Sequence, residues 1–406
     1  MQTEEGVAFA MFGCWNNGVC GEPNGMTAVT SALRADATKA GSNMEFCVVA
    51  GDNYYPAKGA SRTAHDGMKV KGAKELNAEH MKSGFRCLAD MGFATVYLLM
   101  GNHDLQVERD FGPGRECAII EIEKDVATAS TGAGRSMVTE QAMLTPVRRL
   151  GTTVVVFLDT NLYEDGAEHK FTDCERVYRH RTDKAGWEDM VSSVEARVIA
   201  GVQYEARKGD VSNVILVGHH PILGAKMKKG KDGVPRLKSQ RLSDRGLEFV
   251  RGCYAMFPES LSRYYLCADI HQYQKGTVTF PGKPGLEVTQ YIVGTGGAAL
   301  DLLAPPPGSL IEDPRGVTCS VDDVELGVYG YLRVDCRAEC ALTFVPCLEV
   351  SSGGSRRGAR SRRGARSRRG ARSRRGARSR RGARSRRGAR SRRRRIRRRG
   401  SKRSSA

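Results

Sequence analysis

Leu98-Leu99-Met100-Gly101-Asn102-His103-Asp104 is the stretch on which the fold turns. Its apolar run, Val96 to Met100, stops abruptly at a glycine and three polar residues. A strand buried on both faces reads this way where its carboxyl end opens into a loop. Asn102 offers a neutral oxygen to a metal, His103 can give or take a proton near neutral pH, and Asp104 can orient that histidine. Alone, the stretch also suits an ordinary strand-to-loop turn. Three others repeat the pattern: Val48-Val49-Ala50-Gly51-Asp52-Asn53-Tyr54-Tyr55, Leu216-Val217-Gly218-His219-His220-Pro221 and Tyr265-Leu266-Cys267-Ala268-Asp269-Ile270-His271. Four apolar strands ending in Asp, Asn or His would gather those side chains along one sheet edge, where open α/β sheets bind ligands.

The chain of 406 residues has room for one large or two ordinary domains. Its net charge of +20 hides a division. Residues 351–406 hold 26 Arg, 1 Lys and no acidic residue, which leaves residues 1–350 with 38 basic and 45 acidic residues, a net of −7. Ser351-Ser352-Gly353-Gly354 reads as a flexible linker. From Ser355 the hexapeptide Ser-Arg-Arg-Gly-Ala-Arg repeats six times to Arg390, then gives way to an Arg run. Such a segment has almost nothing apolar to bury and repels itself, so the reading is a folded domain over 1–350 and a disordered tail over 351–406.

Twelve cysteines are scattered without a CxxC pair. Cys47, Cys87 and Cys267 lie in apolar stretches, where a free thiol behaves as a small hydrophobe. Cys336 and Cys340 are four apart but have no neighbours to complete a zinc set. Residues 1–6 run straight into the first strand without a charged-then-apolar leader. The expectation is a reducing, intracellular compartment and no secretion. No apolar run approaches the ~20 residues of a membrane span, so no membrane partner is expected.

Along the chain, strands are expected at Val7 to Phe12, Phe46 to Ala50, Val96 to Met100, Thr152 to Leu158 and Val214 to Gly218. Helices are expected at Thr27 to Ala40, Leu76 to Met91, Cys117 to Thr128, Trp187 to Ala206 and Leu242 to Met256. The last third is strand-rich: Tyr264 to Cys267, Val278 to Phe280, Val288 to Gly294, Gly327 to Val334 and Ala341 to Val350. β-α alternation followed by a β-rich portion suggests a four-layer α/β/β/α sandwich, with a doubly wound single sheet as the alternative. Gly294-Thr295-Gly296-Gly297 reads as a tight turn, because it lacks the spacings of a phosphate cradle.

GDNYY, GNHD, GHHP and a degraded GHxH (Ala268-Asp269-Ile270-His271), in that order over Val7 to Glu349, resemble the metallophosphoesterases (calcineurin-like), and the tyrosine of GDNYY resembles the purple acid phosphatase branch. The resemblance implies the α/β/β/α sandwich, a phosphomonoester substrate and two metal ions, with iron, zinc or manganese as candidates. It assigns His271 and Tyr55 to the first metal, Asn102 and His219 to the second, and Asp52 to both. His103 becomes the general acid and Asp104 the residue steering its ring, while His220 supports the loop. Two positions depart from the pattern. The family's Asp after the first strand is here Cys14, in Gly13-Cys14-Trp15-Asn16, and the first His of its last motif is Asp269. Both substitutes can ligate, the thiolate favouring softer metals and the carboxylate harder ones. A second catalytic His beyond GHHP is missing, and Lys226, Lys228, Lys229 and Lys231 occupy that region, read as a solvated loop with contact to a phosphate as the alternative.

Two functions follow from different classes. One is a metal-dependent phosphoesterase. The other is a lapsed phosphoesterase fold whose tail binds or packages nucleic acid. Arginine-rich residues 355–403 would neutralise backbone phosphates and release counterions without reading sequence. The same tail also suits a nuclear address, so nucleus or virion are the expected locations.

Overall fold

The computed structural model describes the chain from Val7 to Glu349; outside the described residues lie 1–6, 40–41, 43, 56–77, 105–117, 130–135, 140–142, 144, 165–183, 283–285, 337–338 and 350–406. Two units divide the chain, Met1–Ser352 and Gly353–Ala406. The Arg-rich segment, including residues 355–403, therefore lies outside the described residues.

Two sheets build the first unit. One has the order β16-β15-β1-β2-β3-β4, from β1 (Val7–Phe12), β2 (Met44–Ala50), β3 (Thr95–Leu99), β4 (Ser136–Thr139), β15 (Val328–Cys336) and β16 (Cys340–Glu349). β1 to β4 run parallel, and β15 and β16 add antiparallel. The other has the order β13-β14-β11-β12-β10-β7-β6-β5. Its strands are β5 (Val147–Leu150), β6 (Thr153–Phe157), β7 (Asn213–Val217), β10 (Ser262–Cys267), β11 (Tyr273–Thr279), β12 (Glu287–Val293), β13 (Leu310–Glu312) and β14 (Thr318–Glu325). Here β6, β7, β10 and β12 form the parallel centre. A separate hairpin joins β8 (Leu223–Lys229) to β9 (Pro235–Arg241).

The apolar pattern explains the layers. All five residues of β6 and of β7 are buried, as expected of parallel strands covered on both faces. Between the sheets lie Phe9, Phe46, Tyr97 and Phe157, whose rings stack or meet edge-on at centroid distances of 4.8, 5.4 and 4.9 Å. This ladder ties β1, β2 and β3 to β6, and each such pair is worth ~0.5–1.5 kcal/mol beyond its area burial. Outside the first sheet pack α1 (Gly25–Thr38), α2 (Ala78–Ala89) and α3 (Ala118–Ala129). Outside the second pack α4 (Lys184–Lys208) and α5 (Asp244–Ala255). Asn24 starts α1 by accepting the Thr27 N–H at 2.8 Å. The architecture is the α/β/β/α sandwich, not the single doubly wound sheet.

Several local expectations change. Residues 105–150 contain β4 and β5, four residues each, too short for a periodic signal. The lysine stretch after GHHP is mostly strand: Lys226, Lys228 and Lys229 belong to β8, while Lys231 stays in the turn before β9. Cys87 is not a free thiol but is bridged to Cys20, and Cys336 is bridged to Cys340 across the β15–β16 hairpin. Cys47 and Cys267 are free and buried, as expected. Among the described residues no helix is long and apolar enough to cross a membrane.

Candidate metal centre

The carboxyl ends of β1, β2, β3, β7 and β10 face one another across the two sheets. Cys14, Asp52, Asn102, His219 and Asp269 each follow one of these strands by two or three residues. Local backbone bends there. Cys14, Asp52 and Asp269 have φ of 53°, 54° and 44°, left-handed values that non-glycine residues avoid. Such conformations cluster where surrounding structure holds functional groups in place. Interlocking hydrogen bonds hold them here: Gly13 N–H to Val293 O at 3.1 Å, Cys14 N–H to Gly51 O at 3.0 Å, and Ala268 N–H to His219 O at 2.9 Å.

Asp52 stands at the middle, with 1% exposure. Its Oδ2 accepts from the Tyr55 hydroxyl and lies 3.6 Å from the Cys14 Sγ. Its Oδ1 accepts the His103 N–H at 3.0 Å and lies 3.3 Å from His219 Nε2. Tyr55 Oη is in turn 2.9 Å from His271 Nε2. On the other side, His219 Nε2 is 3.3 Å from Asn102 Oδ1 and 3.9 Å from Asp269 Oδ1. One carboxylate thus links two groups of donors, Cys14 and Tyr55 with His271 beyond them on one side, and His219 with Asn102 and Asp269 beyond it on the other.

Both histidines are oriented alike. His219 Nδ1 meets Ala50 O at 2.7 Å and His271 Nδ1 meets Ala299 O at 2.8 Å. A carbonyl on Nδ1 fixes the proton there and leaves Nε2 as the basic nitrogen, the tautomer a metal ligand requires. Nε2 of His219 then faces three oxygens that are acceptors, an arrangement that a cation satisfies. Burial lowers the His219 pKa, but Asp52 and Asp269 more than offset it and hold it above the ordinary imidazole value. Burial raises Asp52, yet His219, His103 and the Tyr55 hydroxyl bring it below the usual carboxylate range. Burial pushes the Cys14 thiol and the Tyr55 phenol well above their ordinary values, and Asp52 adds to both. Thiolate and phenolate at these positions therefore require a compensating positive charge. Cys14, Asp52 and His219 hold ligand atoms within 4.8 Å of one another, as do His219, His220 and Asp269. The donor set fits metal ions.

The remaining residues build the walls. Asp104, fully buried, accepts from Asn53 N at 2.8 Å, Gly101 N at 2.8 Å and Asn53 Nδ2 at 3.3 Å. It braces the GDN loop against the GNHD loop. Burial and nearby Asp52 push its carboxyl up to about 7. The half-buried His103 sets its ring 4.8 Å from that of Tyr55. His220 is held through Nδ1, 3.1 Å from Thr160 Oγ1. Thr160 also accepts the N–H groups of His219 and His220, each at 3.0 Å. Gly294-Thr295-Gly296-Gly297 is a bend packed on the Cys14 loop rather than the hydrogen-bonded tight turn expected: Gly296 N–H donates to Gly13 O at 3.0 Å, and a Cβ on Gly296 would lie 2.6 Å from Phe12.

Sequence reasoning missed Gln240, whose Nε2 donates to Asp269 Oδ2 at 2.5 Å. It missed Asp301, which accepts the His271 N–H at 3.2 Å, and Asn53, which accepts the Trp15 indole N–H at 3.1 Å. Asn53 was legible as part of GDNYY. Gln240 and Asp301 reach the site from distant sequence and left no motif.

No protein-family model matches this sequence, and no curated protein matches it. Among solved structures the chain is similar to purple acid phosphatase PPD1 isolated from yellow lupin (Lupinus luteus) seeds, with 10% identity over 85% of this chain and a TM-score of 0.49. It is also similar to PhoD, with 12% identity over 86% of this chain and 72% of that one, and a TM-score of 0.40. The chain spans about half, 52%, of the lupin protein's length. Identities this low speak to architecture alone, so the chemistry of the site rests on its own residues.

Proposed function

We propose that the chain is a metal-dependent phosphoesterase acting on phosphomonoesters. The observation that carries this is the two-sided environment of Asp52, with donors of metal-ligand type on each oxygen. Cys14, Asp52, Tyr55 and His271 would hold one ion, and Asp52, Asn102, His219 and Asp269 the other. When bound, two such ions would place positive charge on the phosphoryl oxygens and make a water nucleophilic at ordinary pH. Asp52 fixes the spacing between the two donor groups, and the Ala50 and Ala299 carbonyls keep both histidines in the basic tautomer. His103, on the loop beside Asn102, is the proton donor for the leaving oxygen. Asp104 keeps that loop in register with Asp52. Metal analysis of the purified full-length chain, with an aryl-phosphate assay on the same sample, tests this. Bound metal and hydrolysis, both lost in Asp52→Asn, are expected; metal-free, inactive protein refutes it.

The tail carries a separate role in this reading. With 26 Arg and no acidic residue, residues 355–403 would bind nucleic acid of any sequence, with affinity falling steeply as salt rises. Equal binding after removal of those residues refutes it. Cys14 and Asp269 favour a second reading, a lapsed enzyme acting through the tail. It would hold if metal and activity were regained only in the double change Cys14→Asp with Asp269→His.

A further inference from the structure

The β8–β9 hairpin stands out against an acidic body. Residues 223–241 carry seven basic side chains and one acidic one. Register decides where they point. Gly224 pairs with Gln240, Lys226 with Lys238, and Lys228 with Arg236, so these six share one face. That face begins at the metal centre: Gln240 donates to Asp269, and Lys226 lies 3.3 Å from Asp301, which accepts the His271 N–H. It then runs outward past Lys238 and Lys228, both exposed and neither in an ion pair among the described residues. Arg236 at the far end is paired with Asp232 in the turn. Like charges directly opposite one another weaken a hairpin, so stability does not explain the two cross-strand basic pairs.

The geometry points to a substrate class: this face binds the phosphates that follow a scissile terminal phosphomonoester in a single-stranded nucleic acid. The inference rests on the phosphoesterase reading and names its substrate. Residues two apart on a strand lie about 7 Å apart, so the face extends about 14 Å from Gln240 to Arg236. Neighbouring phosphates of an inorganic polyphosphate share one bridging oxygen and are far closer. A nucleotide chain separates its phosphates by a sugar and matches the wider spacing. The hairpin contains no aromatic residue, so bases are not stacked there and recognition is of the backbone, indifferent to sequence.

The test compares the full-length chain with its Lys228→Glu, Lys238→Glu variant, the tail being identical in both. The readout is the ratio of kcat/KM for a 5′-phosphorylated hexathymidylate to that for an aryl monophosphate. A fall of tenfold or more in the variant is expected, with a milder fall in Lys228→Gln, Lys238→Gln, which guards against a misfolded hairpin. An unchanged ratio overturns the inference, as does stronger inhibition of the wild type by inorganic tripolyphosphate than by the oligonucleotide. If neither substrate is hydrolysed, the phosphoesterase reading fails, and cross-linking to a photoreactive oligonucleotide decides the binding face. Cross-links within 223–241 support it, and cross-links confined to 355–403 overturn it.

Discussion

Gly101→Ala adds one methyl group at the point where β3 meets the candidate metal centre. An added Cβ would lie 2.2 Å from Asp52 Oδ1, 2.3 Å from Asp52 N and 2.8 Å from His219 Cε1, where real contacts stay above 3.0 Å. None of these atoms is the end of a flexible side chain. Asp52 is held at φ 54°, its Oδ1 accepts the His103 N–H, and the neighbouring Asn53 N–H is tied to Asp104. The β2 and β3 loops must therefore part by about 0.8 Å to restore that 3.0 Å. Overpacking costs about 1–3 kcal/mol, and a backbone obstacle belongs at the upper end. Displacing groups that orient ligands also weakens metal affinity by about 10–100-fold. The assay is metal content by elemental analysis together with thermal melting of the purified full-length chain. Gly252→Ala in α5 is the control, since its Cβ would meet nothing within 4 Å, and it should gain up to about 1 kcal/mol. Gly101→Ala with wild-type metal content and melting temperature would refute the described convergence of Asp52 and His219.

Cys14→Ser should lower metal content severalfold, because a neutral hydroxyl replaces an anionic donor, whereas a merely space-filling Cys14 predicts no change in elemental analysis. Asp104→Asn turns an acceptor of the Gly101 and Asn53 N–H groups into a partial donor, and denaturant unfolding should register a loss of about 2 kcal/mol together with reduced hydrolysis. Reducing the Cys20–Cys87 bridge, which closes a separation of 67 residues, should cost about 4 kcal/mol in the same measurement. Thiol titration with and without reductant gives the bridge independently, and an unchanged midpoint after confirmed reduction refutes the estimate.

Long apolar strands with polar ends were legible because burial on both faces writes a continuous run, as in Asn213–Val217, and the loop begins where the run stops. Asp52, Asn102, His219 and His271 were legible for the same reason: each sits just past such a run. The hairpin at Leu223–Arg241 was not. Its charged, exposed face shows neither strand alternation of apolar residues nor turn-rich composition throughout, and only pairing across Gly230–Gly233 makes it a strand pair. The Cys20–Cys87 disulfide was equally hidden, since partners 67 residues apart become neighbours only once α2 packs beside the loop after β1. Asp104 was visible as a residue, but its bonds depend on two loops meeting.

The backbone at Cys14 carries the last step. Left-handed φ is tolerated by glycine and, less well, by Asp and Asn, whose short polar side chains bond locally. Asp52 and Asp269 follow that rule, and Cys14 does not. Had the position only to turn the chain, glycine or asparagine would serve it at lower cost. Had it only to fill space, the fully buried side chain would need no polar neighbour, yet its Sγ lies 3.6 Å from Asp52 Oδ2. A cysteine in a conformation that disfavours it, pointing its sulfur at the one carboxylate shared by both donor groups, makes sense as a donor kept for its chemistry. The sulfur biases the Cys14 side of the centre toward softer ions, while Asp269 biases the other side toward harder ones. If the centre takes two ions as proposed, elemental analysis should find two unlike metals, and two alike would refute this use of the two departures.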